Sequence, residues 1–180
     1  MTIFDLETAR RDHFSLFGLP RRQTLDVDHL DALYRDIQAK VHPDKHAHQS
    51  GSEQRVAMQW AAQVNEAWQT LRDPLRRARY LLQLAGHDAA LESNTAMPTD
   101  FLMTQMELRE RTAEAKAAGD AAALDTLHRE LRKTVRGEHE ALRVALDGND
   151  WARAGALVRQ LMFQEKLLAE IDDALAALET

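Results

Sequence analysis

Pro43 stands between two stretches of helical apolar periodicity, and this restricts the chain's fold more than any other feature. Upstream, Leu30, Leu33, Tyr34, Ile37 and Val41 recur at the spacing of one helix face, with Asp26 placed to cap its start. Downstream, Val56, Trp60, Val64, Ala67, Trp68 and Leu71 form a matching stripe. Proline fixes its own φ and disfavours helical backbone in the residue before it, so the first helix is expected to end near His42. The polar run from Lys45 to Gly51 is too short for a crossover, and Ser50 to Glu53 reads as a capping box for the second helix. Two helices with facing stripes and a short turn pack antiparallel. His42, Pro43 and Asp44 are thereby expected at the tip of a helical hairpin.

The remainder of the chain is also helical in pattern. Gly (7) and Pro (4) are scarce among 180 residues, and no segment alternates convincingly as a strand, so the fold class is all-α. Residues 1–10 form an aperiodic lead-in. Asp12 to Phe17 reads as a short helix stopped by Gly18-Leu19-Pro20, with Phe14 and Phe17 packing on the hairpin. Asp73 and Pro74 cap and open a further helix that Gly86 closes. The first domain is therefore placed at 1–86 and a linker at 87–97, where periodicity lapses around Ser93-Asn94-Thr95. Residues 98–180 read as three helices separated by Gly119-Asp120 and Gly148-Asn149-Asp150, an up-down-up bundle. Core stripes are expected at Phe101, Leu108, Thr112 and Ala115; at Leu124, Leu127, Leu131, Val135 and Leu142; and at Ala154, Val158, Leu161, Leu168 and Leu175.

Composition narrows the chemistry. The absence of cysteine removes disulfides, thiolate metal sites and cysteine nucleophiles. No nucleophile–base pair, phosphate loop or supported acid pair is present, so the chain is not expected to be an enzyme. His42, His46 and His48 lack a carboxylate or thiolate at ligand spacing and read as solvated loop residues, not a metal site. Residues 1–86 carry 12 Lys/Arg against 11 Asp/Glu, a balance of +1, whereas residues 87–180 carry 11 against 18, a balance of −7. An acidic second half argues against nucleic acid as a partner. No apolar run approaches about 18 residues, and no signal peptide is evident, so a soluble cytoplasmic protein without a membrane partner is expected.

The hairpin with its His42-Pro43-Asp44 turn, preceded by His13-Phe14-Ser15-Leu16-Phe17-Gly18-Leu19-Pro20 and followed by Asn65-Glu66-Ala67-Trp68 and Asp73-Pro74, resembles a J-domain. That resemblance implies a surface that touches a heat shock protein 70 chaperone and triggers its ATP hydrolysis. Asp44 would offer a carboxylate to a cationic side chain, His42 a hydrogen-bonding edge and Pro43 fixed geometry. Arg35, Lys40 and Lys45 would steer the approach to an acidic chaperone surface.

On the helix from Pro98, Leu102, Met103 and Met106 fall off the core stripe and share their side with Glu107, Glu110 and Glu114. Phe163 likewise points away from the core stripe of the last helix. An apolar cluster rimmed by carboxylates suits a protein-binding patch, although packing within the bundle explains the same pattern equally well. The segments Phe101-Leu102-Met103-Thr104-Gln105-Met106-Glu107-Leu108-Arg109-Glu110 and Leu161-Met162-Phe163-Gln164-Glu165-Lys166-Leu167, with Arg79-Tyr80-Leu81-Leu82, resemble the HscB family, the J-type co-chaperones of iron–sulfur cluster biogenesis. By that resemblance Leu102, Met103, Met106, Glu107, Glu110 and Phe163 hold an IscU-like scaffold protein, which the J-domain presents to an HscA-like chaperone. The chain would carry no cofactor of its own, because ATP, Mg²⁺ and cluster belong to its partners. The rival readings are a general J-protein for unfolded clients and a structural adaptor that does not stimulate a chaperone.

Overall fold

The computed structural model describes residues 12–41, 51–87 and 97–178, and among these all regular structure is helical. Seven helices follow in order: α1 (His13–Leu16), α2 (Val27–Val41), α3 (Gly51–Arg72), α4 (Pro74–Leu84), α5 (Thr99–Ala118), α6 (Ala121–Asp147) and α7 (Trp151–Leu178). The chain divides into two compact units, residues 1–81 and 82–180. No described helix is long and apolar enough to cross a membrane.

In the first unit, local chemistry sets each helix boundary. Asp26 Oδ1 accepts the backbone N–H of His29 at 3.1 Å and starts α2, while Asp73 Oδ1 accepts that of Arg76 at 2.8 Å and starts α4. Gly18, after α1, takes φ +67°, a left-handed conformation that costs glycine little. Phe14 and Phe17 are buried together with Leu30, Ala57, Trp60, Val64, Ala67 and Leu71. Val56, expected on the α3 core stripe, is instead exposed; the buried line runs through Ala57, leaving Val56 on its flank.

Asp12 closes the start of this unit. Its carboxylate accepts the backbone N–H groups of Phe14 and Ser15, the Ser15 hydroxyl, and the Arg21 guanidinium at 2.7 Å. Partial burial pushes the carboxyl up, but the hydrogen bonds from Arg21 and Ser15 outweigh it and hold the pKa at about 2, below the ordinary 3.8. A carboxylate with a depressed folded-state pKa contributes stability that is complete above about pH 3.8 and is lost as pH falls toward 2. Asp12→Ala is therefore expected to cost about 1 kcal/mol near neutrality. Thermal melts of wild type and variant should converge as pH falls through about 2; a gap still at its neutral-pH size at pH 2 would contradict this role.

The second unit is a three-helix bundle. Leu124, Leu127, Leu131, Val135 and Leu142 of α6 are buried as their spacing predicts. Gly119 takes φ +64° at the end of α5, and Asp120 then accepts the Ala123 N–H at 2.9 Å to begin α6. At the next turn it is Asn149, not Gly148, that adopts positive φ (57°). Polar pairs tie the helices at their edges: the ion pairs Arg111–Glu130 at 3.6 Å and Arg109–Glu170 at 3.2 Å, and His128 Nε2 against Asp172 Oδ1 at 3.1 Å.

Two expected core stripes differ from those observed. On α7 the buried line passes through Ala154, Val158 and Leu161 and then moves to Gln164, Leu167, Ile171 and Ala174, leaving Leu168 and Leu175 half-buried. The Arg109–Glu170 pair sets the first residue of α5 level with about residue 160 of α7, at one residue per 1.5 Å on two parallel helices. Below that level α7 packs between two helices, so its buried line turns toward both. On α5, Thr112 and Ala115 are buried as expected, but Gln105 joins them while Phe101 and Leu108 are half-buried.

Candidate functional site

The hairpin is held by polar contacts between its helices. Asp31 Oδ1 accepts the indole N–H of Trp68 at 2.7 Å, and one turn further along α2 the Tyr34 hydroxyl donates to Asn65 Oδ1 at 3.2 Å. Each step forward on α2 thus matches a step back on α3, the antiparallel arrangement the two stripes predict. Tyr34 stacks on Trp68 with ring centroids 4.5 Å apart, and the Arg72 guanidinium lies over the Trp68 ring, 5.2 Å from its centroid. The hydroxyl of Tyr34 also accepts from Gln38 Nε2 at 3.0 Å. Arg35 and Lys40 lie on the exposed side of α2. His42, Pro43, Asp44 and Lys45, as well as His46, His48 and Ser50, lie outside the described residues. Among the described residues no group of three or more His, Asp or Glu side chains is placed to hold a metal ion.

The second candidate surface lies on α5 and α7. Leu102, Met103 and Met106 are 41%, 64% and 70% exposed, and Phe163 is 46% exposed. Glu107 and Glu110 are exposed beside them. Leu102 precedes Arg109 by seven residues and Phe163 precedes Glu170 by seven. Seven residues are almost two full turns, so each apolar side chain lies on the same helix face as the charged partner below it. The Arg109–Glu170 bridge marks the seam between α5 and α7, and Leu102 and Phe163 therefore flank that seam at one level. The strip expected from sequence is thus solvent-facing, with Leu102 and Phe163 on either side of the seam between two helices.

Sequence reasoning overlooked two features here. Met162, 42% exposed, adds apolar area beside Phe163. Behind the strip, three polar residues interrupt the core stripes: Gln105 on α5, Glu138 on α6 and Gln164 on α7. Gln164 Nε2 donates to Glu138 Oε1 at 2.9 Å, and at the adjacent positions His139 Nε2 lies 2.8 Å from Glu165 Oε1. Burial pushes the Glu138 carboxyl above its ordinary pKa, against the opposing effects of the Gln164 hydrogen bond and the charge of His139. The signal was present: Glu138 occupies the core position between Val135 and Leu142, and Gln164 that between Leu161 and Leu167.

Comparison with known proteins agrees with both halves. Residues 12–80 match the DnaJ domain family, and residues 97–172 match the family described as the HSCB C-terminal oligomerisation domain. A hairpin-bearing J-domain joined to such a bundle defines a J-type co-chaperone. A co-chaperone protein HscB homolog of Azoarcus sp. is 53% identical over 171 residues, 94% of this chain and 97% of the relative. The solved chaperone HscB of Vibrio cholerae superposes with a TM-score of 0.84 at 37% identity, covering 93% of this chain and 99% of that one. The human co-chaperone protein HscB does so with a TM-score of 0.85 at 27% identity, covering 91% and 81%. The chain belongs to the HscB family, the J-domain co-chaperones of iron–sulfur cluster biogenesis.

Proposed function

We propose that this chain stimulates ATP hydrolysis by an HscA-like heat shock protein 70 chaperone and delivers an IscU-like scaffold protein to it in the cytoplasm. The observation that carries this reading is the exposed strip of Leu102, Met103, Met106 and Phe163 rimmed by Glu107 and Glu110, on a chain that also bears a J-domain. Adaptable methionine side chains and one aromatic ring supply apolar contact area, and the carboxylates select a partner with a basic rim. The tether between client and J-domain raises the client's effective concentration at the chaperone. The protein is not itself the catalyst in this scheme: the chaperone hydrolyses ATP, and the iron–sulfur cluster is cargo on the scaffold.

Calorimetric titration tests the choice of client. A folded IscU-like scaffold is expected to bind and to resist competition by an excess of an unfolded polypeptide. Equal binding of both would favour the reading as a general J-protein for unfolded clients.

A further inference from the structure

Between Leu157 and Leu168, α7 carries apolar residues on nearly every side: Leu157, Leu161, Met162, Phe163, Leu167 and Leu168. Hydrophobic burial alone therefore does not choose which side faces the core. The observed choice runs against side-chain polarity. Gln164 is only 3% exposed, while its neighbours Met162 and Phe163 face solvent. Successive residues lie about 100° apart, so a roll of α7 by about a quarter turn would carry Phe163 inward and Gln164 outward. Such a roll would remove the aromatic side chain from the docking strip.

Two polar contacts oppose that roll. Gln164 Nε2 donates to Glu138 Oε1 at 2.9 Å, and Glu165 Oε1 sits 2.8 Å from His139 Nε2, pairing neighbouring positions of α7 with neighbouring positions of α6. The Gln164 carbonyl oxygen is buried with no donor, so retention of this amide in the core depends on the single bond to Glu138. Glu138 itself sits on the α6 core line, and its second oxygen is also buried and unpartnered. A polar pair with one buried and one half-buried member costs stability and selects one arrangement among several that apolar packing tolerates.

We propose that Glu138 is a positioning residue for the docking strip: by holding Gln164 in the core it fixes the rotational phase of α7 that turns Phe163 outward. The inference rests on the reading of this strip as the scaffold-binding surface, but its primary test does not. The chain is labelled with fluorophenylalanine, its five phenylalanine resonances are assigned by single substitutions, and relaxation by a soluble gadolinium chelate reports ring exposure. In wild type the Phe163 ring should relax several-fold faster than the fully buried Phe14 ring.

Glu138→Leu leaves the Gln164 amide without an acceptor, and Phe163 is expected to fall toward the Phe14 value. Glu138→Gln keeps an acceptor oxygen and should retain wild-type exposure. Adding Gln164→Leu to Glu138→Leu removes the stranded amide and should restore exposure, a rescue that a merely destabilising change would not produce. Should Glu138→Leu fail to fold, Gln164→Ser with Glu138 intact supplies the same reading, because the shorter hydroxyl side chain cannot span to Glu138. An exposed Phe163 ring in a folded variant of either kind overturns the proposal. Scaffold affinity is measured in parallel: a ring that turns inward with no loss of affinity leaves the positioning role intact and places the scaffold elsewhere.

Discussion

Replacing Asp44 with alanine is expected to bring the ATPase rate of an HscA-like chaperone down to its unstimulated value, with scaffold affinity left within about twofold of wild type. The size of the loss follows from what a carboxylate does at a protein interface. Truncating one member of a hydrogen-bonded charge pair costs about 2–5 kcal/mol, because the partner's cation is left unpaired, and this corresponds to roughly thirtyfold to several-thousandfold in affinity. The hairpin helices should be unaffected, since they are joined by contacts remote from the turn, between Asp31 and Trp68 and between Tyr34 and Asn65. Steady-state ATPase assays with wild type and variant make the comparison, and equal stimulation by both would refute the J-domain's assigned role. Charge reversal at Arg35 or Lys40 acts through steering and belongs to a smaller, salt-dependent class of effect.

The second large effect is expected on the other unit. Met103→Ala combined with Phe163→Ala should weaken scaffold binding by about 3 kcal/mol, roughly a hundredfold, as expected when an aromatic anchor and an adjacent flexible apolar side chain are truncated. Met103 is 64% and Phe163 46% exposed in the free protein and neither is a core residue, so the melting temperature should move by only about a few degrees. Titration of the scaffold into wild type and double variant measures the difference. An unchanged affinity would put the client on another face of the bundle.

The two effects depend on features of unequal legibility in the sequence. The hairpin was readable because its signals are local and agree: Asp26 and Asp73 cap where their side chains can reach free backbone N–H groups, Pro74 opens a helix, and two stripes of matching period face each other. That Met103 and Met106 lie off the core stripe of α5 was readable from helix phase, and their exposure follows once the bundle closes on the single apolar stripe of α6. The phase of α7 was not. With apolar residues almost all round, its pattern fits more than one buried line, and Leu168 and Leu175 look as suitable for the core as Leu167, Ile171 and Ala174. The decision is made by tertiary context: α5 arrives beside only part of α7, and Glu138 on another helix provides the acceptor that lets Gln164 be buried. Periodicity shows each of these polar residues on a core line of its own helix, but it does not show that they pair across 26 residues of sequence. Gln105, absent from the stripe expected on α5, is buried as well.

The central claim is that one chain couples client capture to chaperone stimulation, and the most direct measurement is the chaperone's single-turnover ATPase rate with this protein and an IscU-like scaffold added separately and together. The account predicts that wild type and scaffold together exceed the sum of their separate effects. It also predicts that Met103→Ala with Phe163→Ala removes this excess while leaving the stimulation by the J-domain alone. A double variant that retains the full excess would contradict it.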